Sequence, residues 1–123
     1  MKLQATPFEG QNTFTAYGDD YASVNAIRHS GNLIVLPDRI IPAWTQANFE
    51  TLAIADFEFL AKLDAEIILL GTGDRLRFPR PELQRPLMDA RKGLEVMDLA
   101  AACRTYNVLI SEGRKVAAAL LFA

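Results

Sequence analysis

Apolar and polar positions alternate through the first third of the chain and recur every three to four residues through much of the rest. Asn12 to Tyr17 is a short strand ended by the turn cluster Gly18-Asp19-Asp20. Ser23 to His29 follows, and Ser30-Gly31-Asn32 predicts a hairpin connection because Gly and Asn tolerate positive φ. Leu33 to Leu36 is a continuous apolar run. Pro37-Asp38 is a tight turn, and Arg39 to Thr45 is the return strand. Pro42 lacks an N–H, which puts that strand at a sheet edge or a bulge. Residues 12–45 are therefore expected to form an antiparallel meander.

The rhythm then changes. Phe57, Leu60 and Ala61 mark a helix over 56–63 whose start is ambiguous, and Glu66 to Leu70 is a strand opening onto Gly71-Thr72-Gly73. Pro81 to Lys92 reads as a helix with Pro81 at its first position, Gly93 past its end and a kink or late start at Pro86. Leu94 to Met97 is a strand. Asp98 is an N-cap for a helix to about Ser111, closed by Gly113. In Val116 to Ala123 both alternating faces are apolar, the pattern of a central strand buried on both sides. The order of residues 39–123 predicts helices on a mostly parallel sheet. A single domain over 1–123 is expected, with a meander layer at about 12–45 and an α/β core at about 46–123.

Charge adds an asymmetry. Residues 1–73 carry four basic and nine acidic side chains, whereas residues 74–123 carry nine basic and six acidic. The excess lies between Asp74 and Lys92, where five of six cations are Arg, the side chain suited to bidentate carboxylate or phosphate contacts. This segment is either a solvated face or a docking patch for an acidic partner or phosphate-bearing ligand. The overall balance of −2 argues against a general nucleic-acid binder. One Cys and one His exclude a disulfide framework and a Cys/His zinc cluster. No run reaches the ~20 apolar residues that span a bilayer. Met1-Lys2-Leu3-Gln4 shows no secretory h-region, and a free thiol suits a cytoplasmic protein.

The chemistry on offer is sparse. Gly71-Thr72-Gly73 invites comparison with a phosphate cradle, but position 76 is Leu and Phe78-Pro79-Arg80-Pro81 delays the next helix. Cys103 falls on the same stripe as Leu99, Ala102, Tyr106 and Ile110, where it packs as a small hydrophobe. Arg104 and Asn107 project from that helix's flank. With Arg75 and Arg77 they could line a polar pocket against the Gly71–Arg77 loop. His29 reads as a solvent-exposed turn residue. Trp44 is a core aromatic or, if its face is exposed, an interface anchor alongside Arg80 and Arg85.

Three stretches belong together: Leu69 to Pro79, Met97 to Asn107 and Glu112 to Leu120. They resemble the family of small α/β domains that includes a mitochondrial NADH-dehydrogenase (complex I) assembly factor and a human adipogenesis-associated protein. The similarity extends through Tyr21 to Trp44. It implies a three-layer α/β fold with a mixed central sheet, the last strand central and antiparallel, plus an extra β layer. The matching positions are Gly71, Thr72, Gly73, Arg104, Tyr106 and Asn107, while Pro86 departs from the family's Ala- and Leu-rich second helix. The resemblance carries no catalytic residue and no cofactor. It implies action through a protein partner during membrane-complex assembly, and the lack of a mitochondrial presequence fits a bacterial cytosolic member. The alternative is a domain binding a small carboxylate or phosphate through the Gly71–Arg77 loop and the Arg104–Asn107 flank.

Overall fold

The chain between residues 10 and 122 is described by a computed structural model. The amino-terminal tetrapeptide and Ala123, on which two of the readings above rest, lie outside the described residues. The apolar octapeptide forms β8 (Val116–Leu120), every residue of which is buried. It sits in the middle of a five-stranded sheet with β4 (Leu33–Leu36), β5 (Arg39–Pro42), β6 (Ile67–Gly71) and β7 (Gly93–Met97), in the order β5-β4-β8-β6-β7. Its small alanines pair with β4 and β6 and let apolar layers close on both faces. Val116, Ala118 and Leu120 join one core, while Ala117, Ala119 and Leu121 join the other.

The mixed sheet is as expected, with one refinement. β8 runs parallel to β6 and antiparallel only to β4, so β4, not the last strand, runs against the other four. The meander is corrected more substantially. β1 (Phe14–Gly18), β2 (Tyr21–Val24) and β3 (Ile27–His29) form a separate antiparallel sheet, and β3 does not pair with β4. The reason is burial. All of Leu33-Ile34-Val35-Leu36 is buried, whereas Ile27 and Arg28 are exposed. A strand apolar on both faces cannot stay in a layer with one wet face. Ser30-Gly31-Asn32 therefore carries the chain between sheets. Asn32 fixes the crossing: its Nδ2 donates to the carbonyls of Thr45 (3.1 Å) and Ala47 (2.9 Å), and its Oδ1 accepts from the Phe122 N–H (3.1 Å). β5 ends at Pro42 and lies at the sheet edge, where a residue without an N–H is tolerated.

α1 (Ile54–Ala61) begins before Asp56 because the Asp56 carboxylate accepts from the Ala53 N–H (2.9 Å) and the Thr45 hydroxyl (2.7 Å). The expected helix over 81–92 is split. A 3-10 turn covers Pro81–Gln84, and α2 (Arg85–Asp89) starts with Pro86 in its first turn, where the missing N–H costs nothing. Arg91, at φ 58°, turns the chain out of that helix, and Gly93 already belongs to β7. α3 (Leu99–Ser111) is capped as predicted by Asp98, which accepts from the Ala101 N–H. Gly113 at φ 75° ends it. The Gly113 N–H donates to the Ile110 carbonyl and the Arg114 N–H to that of Leu109, both at 3.0 Å, a Schellman closure. α1 and α2 pack together on one face of the large sheet; α3 covers the other and carries the small sheet on its back.

Candidate functional site

The loop after β6 is built around Thr72, which is fully buried. Its hydroxyl donates to the Arg75 carbonyl (2.6 Å) and accepts from the Arg77 N–H (3.2 Å), while its own N–H donates to the Met97 carbonyl (2.9 Å). Gly71 and Gly73 serve this loop differently. A Cβ on Gly71 would lie 2.9 Å from Leu120 Cδ2 and 3.1 Å from Ala102 Cβ, so glycine is needed for α3 to approach. Gly73 has φ +93°, and its carbonyl accepts from the Leu99 N–H (2.8 Å) at the start of α3. Arg77 points inward. Its guanidinium donates to the Thr72 carbonyl (2.6 Å), pairs with Glu50 (3.0 Å) and lies 4.7 Å from the Phe49 ring centroid. Its neighbours Leu76 and Phe78 are thereby turned outward, 50% and 69% exposed.

The helix-flank residues of the expected pocket are spent on the seam between the two sheets. Asn107 Oδ1 accepts from the Phe14 N–H (2.9 Å) and Asn107 Nδ2 donates to the Phe14 carbonyl (2.8 Å), completing the unpaired edge of β1 as a neighbouring strand would. Tyr106 is fully buried against Phe14, edge to face at 5.1 Å, and its hydroxyl donates to the Asn12 carbonyl (3.0 Å). Arg104 donates to the Tyr17 hydroxyl (2.9 Å). Burial pushes the Cys103 thiol up to about 12 and raises the Tyr106 phenol as well, which favours the protonated form of both, and Cys103 packs within the core as a small hydrophobe.

A cleft of about 300 Å³ opens beside Gly73, and its lining is acidic. Asp19, Asp74 and Asp98 border it together with Tyr17 and Leu99, and no basic side chain among the described residues does. Arg77 is held on the other side of the loop, and Arg75 stands exposed with no ion pair to a described residue. A carboxylate or phosphate entering that cleft would meet like charge.

Trp44 is buried, and its Nε1 donates to the Leu120 carbonyl (3.1 Å), so the exposed-anchor reading gives way to the core reading. Arg80 and Arg85 are exposed, with long ion pairs to Glu82 (3.7 Å) and Asp89 (3.9 Å), contacts that hold neither side chain firmly. His29 is half-buried rather than solvent-exposed, and its Nε2 is enclosed with no partner among the described residues. It borders a wide, open hollow with Arg28, Asn32 and Phe122.

Sequence reasoning missed the exposed apolar residues. Among the described residues seven large apolar side chains are exposed: Ile54, Phe59, Leu76, Phe78 and Met88 belong to α1, the loop or α2, and Ile27 and Val108 to β3 and α3. The available signal was the alternation Arg75-Leu76-Arg77-Phe78 inside a segment already bounded by Gly73 and Pro79, where a solvated loop would be polar.

A model of the family described as "Protein of unknown function (DUF498/DUF598)" matches residues 14–121. The chain belongs to the DUF498/DUF598 family. The family match begins at β1 and ends just past β8, so both sheets and the seam between them lie within it. Among its relatives, NADH dehydrogenase [ubiquinone] 1 alpha subcomplex assembly factor 3 of Bos taurus is 31% identical, over 98% of this chain and 68% of that protein. A crystal structure of a Bordetella parapertussis protein is 39% identical with a TM-score of 0.84, covering 94% of this chain and 98% of the other. An outer membrane protein from Bartonella henselae is 30% identical with a TM-score of 0.76, over 94% and 98% of the two chains. Among the described residues no helix is long and apolar enough to cross a membrane.

Proposed function

We propose that this DUF498/DUF598 chain is a non-catalytic interaction protein that assists the assembly of a membrane-bound complex, working from the cytoplasmic side. The observation that carries the reading is the 72–78 loop. Thr72 and Arg77 fix its backbone from inside, so Leu76 and Phe78 are displayed on a rigid frame. Apolar side chains held in place before a partner arrives lose little entropy on binding, which is how a small surface gains affinity. Arg75, Arg80 and Arg85 border the same segment and supply charge for orientation. The relatives named as complex I assembly factors support a partner that is itself a protein.

The reading is tested by placing a photo-crosslinking amino acid at position 78, and in a second variant at the exposed Val108 on α3, in native cells. The expected result is one recurrent adduct from position 78, a subunit of a membrane-bound complex, that is absent from position 108. Equal capture from both positions, or none from position 78, contradicts it.

A further inference from the structure

The large sheet has two edges, and they are finished differently. β5 carries two devices that block strand addition, the exposed Arg39 and the exposed Pro42. β7 reads Gly93-Leu94-Glu95-Val96-Met97, with neither proline nor a basic residue within it. Its backbone direction follows from two hydrogen bonds. The Gly93 N–H donates to the Glu66 carbonyl (3.0 Å), and the Met97 carbonyl accepts from the Thr72 N–H (2.9 Å). Residues 93 and 97 thus turn their peptide groups toward β6. In a strand the groups alternate sides, so those of Leu94 and Val96 point outward. No described residue bonds to them.

From this geometry we propose that β7 is a docking edge at which an extended segment of a protein partner adds a sixth strand. Two N–H and C=O pairs, at Leu94 and Val96, give it main-chain bonds. Side chains set the chemistry of the occupant. Leu94 and Val96 lie over the α1/α2 core, half-buried, and call for apolar residues on that face of the added strand. Glu95 is exposed on the opposite face. Beyond the Met97 end lies the cleft bordered by Asp19, Asp74 and Asp98. The occupant is therefore an alternating apolar and basic segment. Arg91, exposed ahead of β7, and Lys92, whose ammonium donates to the Leu63 carbonyl, put the opposing charges at the far end, away from those carboxylates. A second copy of this chain fits worse: antiparallel pairing centred on β7 sets Glu95 against Glu95, and like charges directly opposite repel.

The inference leans on the proposed function only in supposing that a partner chain exists, and its test needs no native partner. The probe is a synthetic, end-blocked peptide, Thr-Lys-Val-Lys-Val-Lys-Thr, titrated into the isotope-labelled chain. In the free chain the Leu94 and Val96 amides are expected to exchange at least tenfold faster than those of Ile68 and Leu70. On saturation their signals shift and their exchange slows at least tenfold. A peptide with Glu for Lys binds at least tenfold more weakly, and Glu95→Lys reverses that preference. Protection of the Leu94 and Val96 amides in the free chain, whether by its own residues or in a dimer, overturns the proposal. So does binding that leaves those two amides unmoved. Loss of the position-78 adduct leaves this test intact, so the two readings fail separately.

Discussion

The two faces of the large sheet are covered in different ways, and the contrast separates what holds the molecule from what it offers. One face carries a 13-residue helix, capped at both ends and itself covered by a second sheet. There two polar side chains of the strongest motif are consumed internally, Asn107 on the Phe14 backbone and Tyr106 on Asn12, while the exposed Arg104 reaches back to the Tyr17 hydroxyl. The other face carries helices of eight and five residues that leave Ile54, Phe59 and Met88 exposed, against Val108 alone on the 13-residue α3. A distinctive polar motif here marks a seam. The exposed surface is marked by apolar residues where a loop should be polar.

The contrast can be broken most forcefully at the seam. Tyr106→Ala removes a fully buried ring and its partner contact with Phe14, and should cost about 3–5 kcal/mol in denaturant unfolding. Gly71→Ala drives a methyl against Leu120 and Ala102 beneath α3, for an expected loss of about 1–3 kcal/mol by the same measurement. Asn107→Ala leaves the Phe14 N–H and C=O without their side-chain partners and should cost about 1–3 kcal/mol. Asn107→Asp sharpens the point: the carboxylate still accepts from the Phe14 N–H but cannot donate to its carbonyl, so part of the loss remains.

Alkaline pH probes the same face. Burial raises Cys103 from its ordinary 9.0 to about 12 and also raises Tyr106, so above pH 9 the folded chain retains protons the unfolded chain has released. Their contribution is complete below pH 9 and is lost as pH climbs toward 12, at no more than about 1.4 kcal/mol per pH unit for each group. Urea midpoints measured between pH 8 and 11 should fall, and Cys103→Ala should flatten the fall. On the opposite face the smallest effect is expected. Phe78→Ser should change stability by less than about 0.5 kcal/mol, because the ring is 69% exposed, while abolishing the position-78 contact with a partner.

Much of this architecture is legible in the sequence because local signals and burial agree. The two apolar faces of Val116 to Leu120 announce a central strand, Asp98 and Gly113 bound α3, and Pro42 marks an edge. The separation of the small sheet is not legible. Ser30-Gly31-Asn32 has hairpin chemistry, and only the need to bury Leu33 to Leu36 on both faces overrides it. The roles of Arg104 and Asn107 are hidden for a related reason: their partners, Tyr17 and Phe14, lie some ninety residues away. Arg77 looks like a ligand-binding cation until Glu50, Phe49 and the Thr72 carbonyl are brought to it.

The account rests most heavily on Asn107 acting as a surrogate strand for β1. Amide hydrogen exchange of Phe14 in the intact chain and in Asn107→Ala tests this directly. The expected result is a protected Phe14 amide whose exchange accelerates at least tenfold in the variant. A Phe14 amide that exchanges at the same rate in both chains would contradict it.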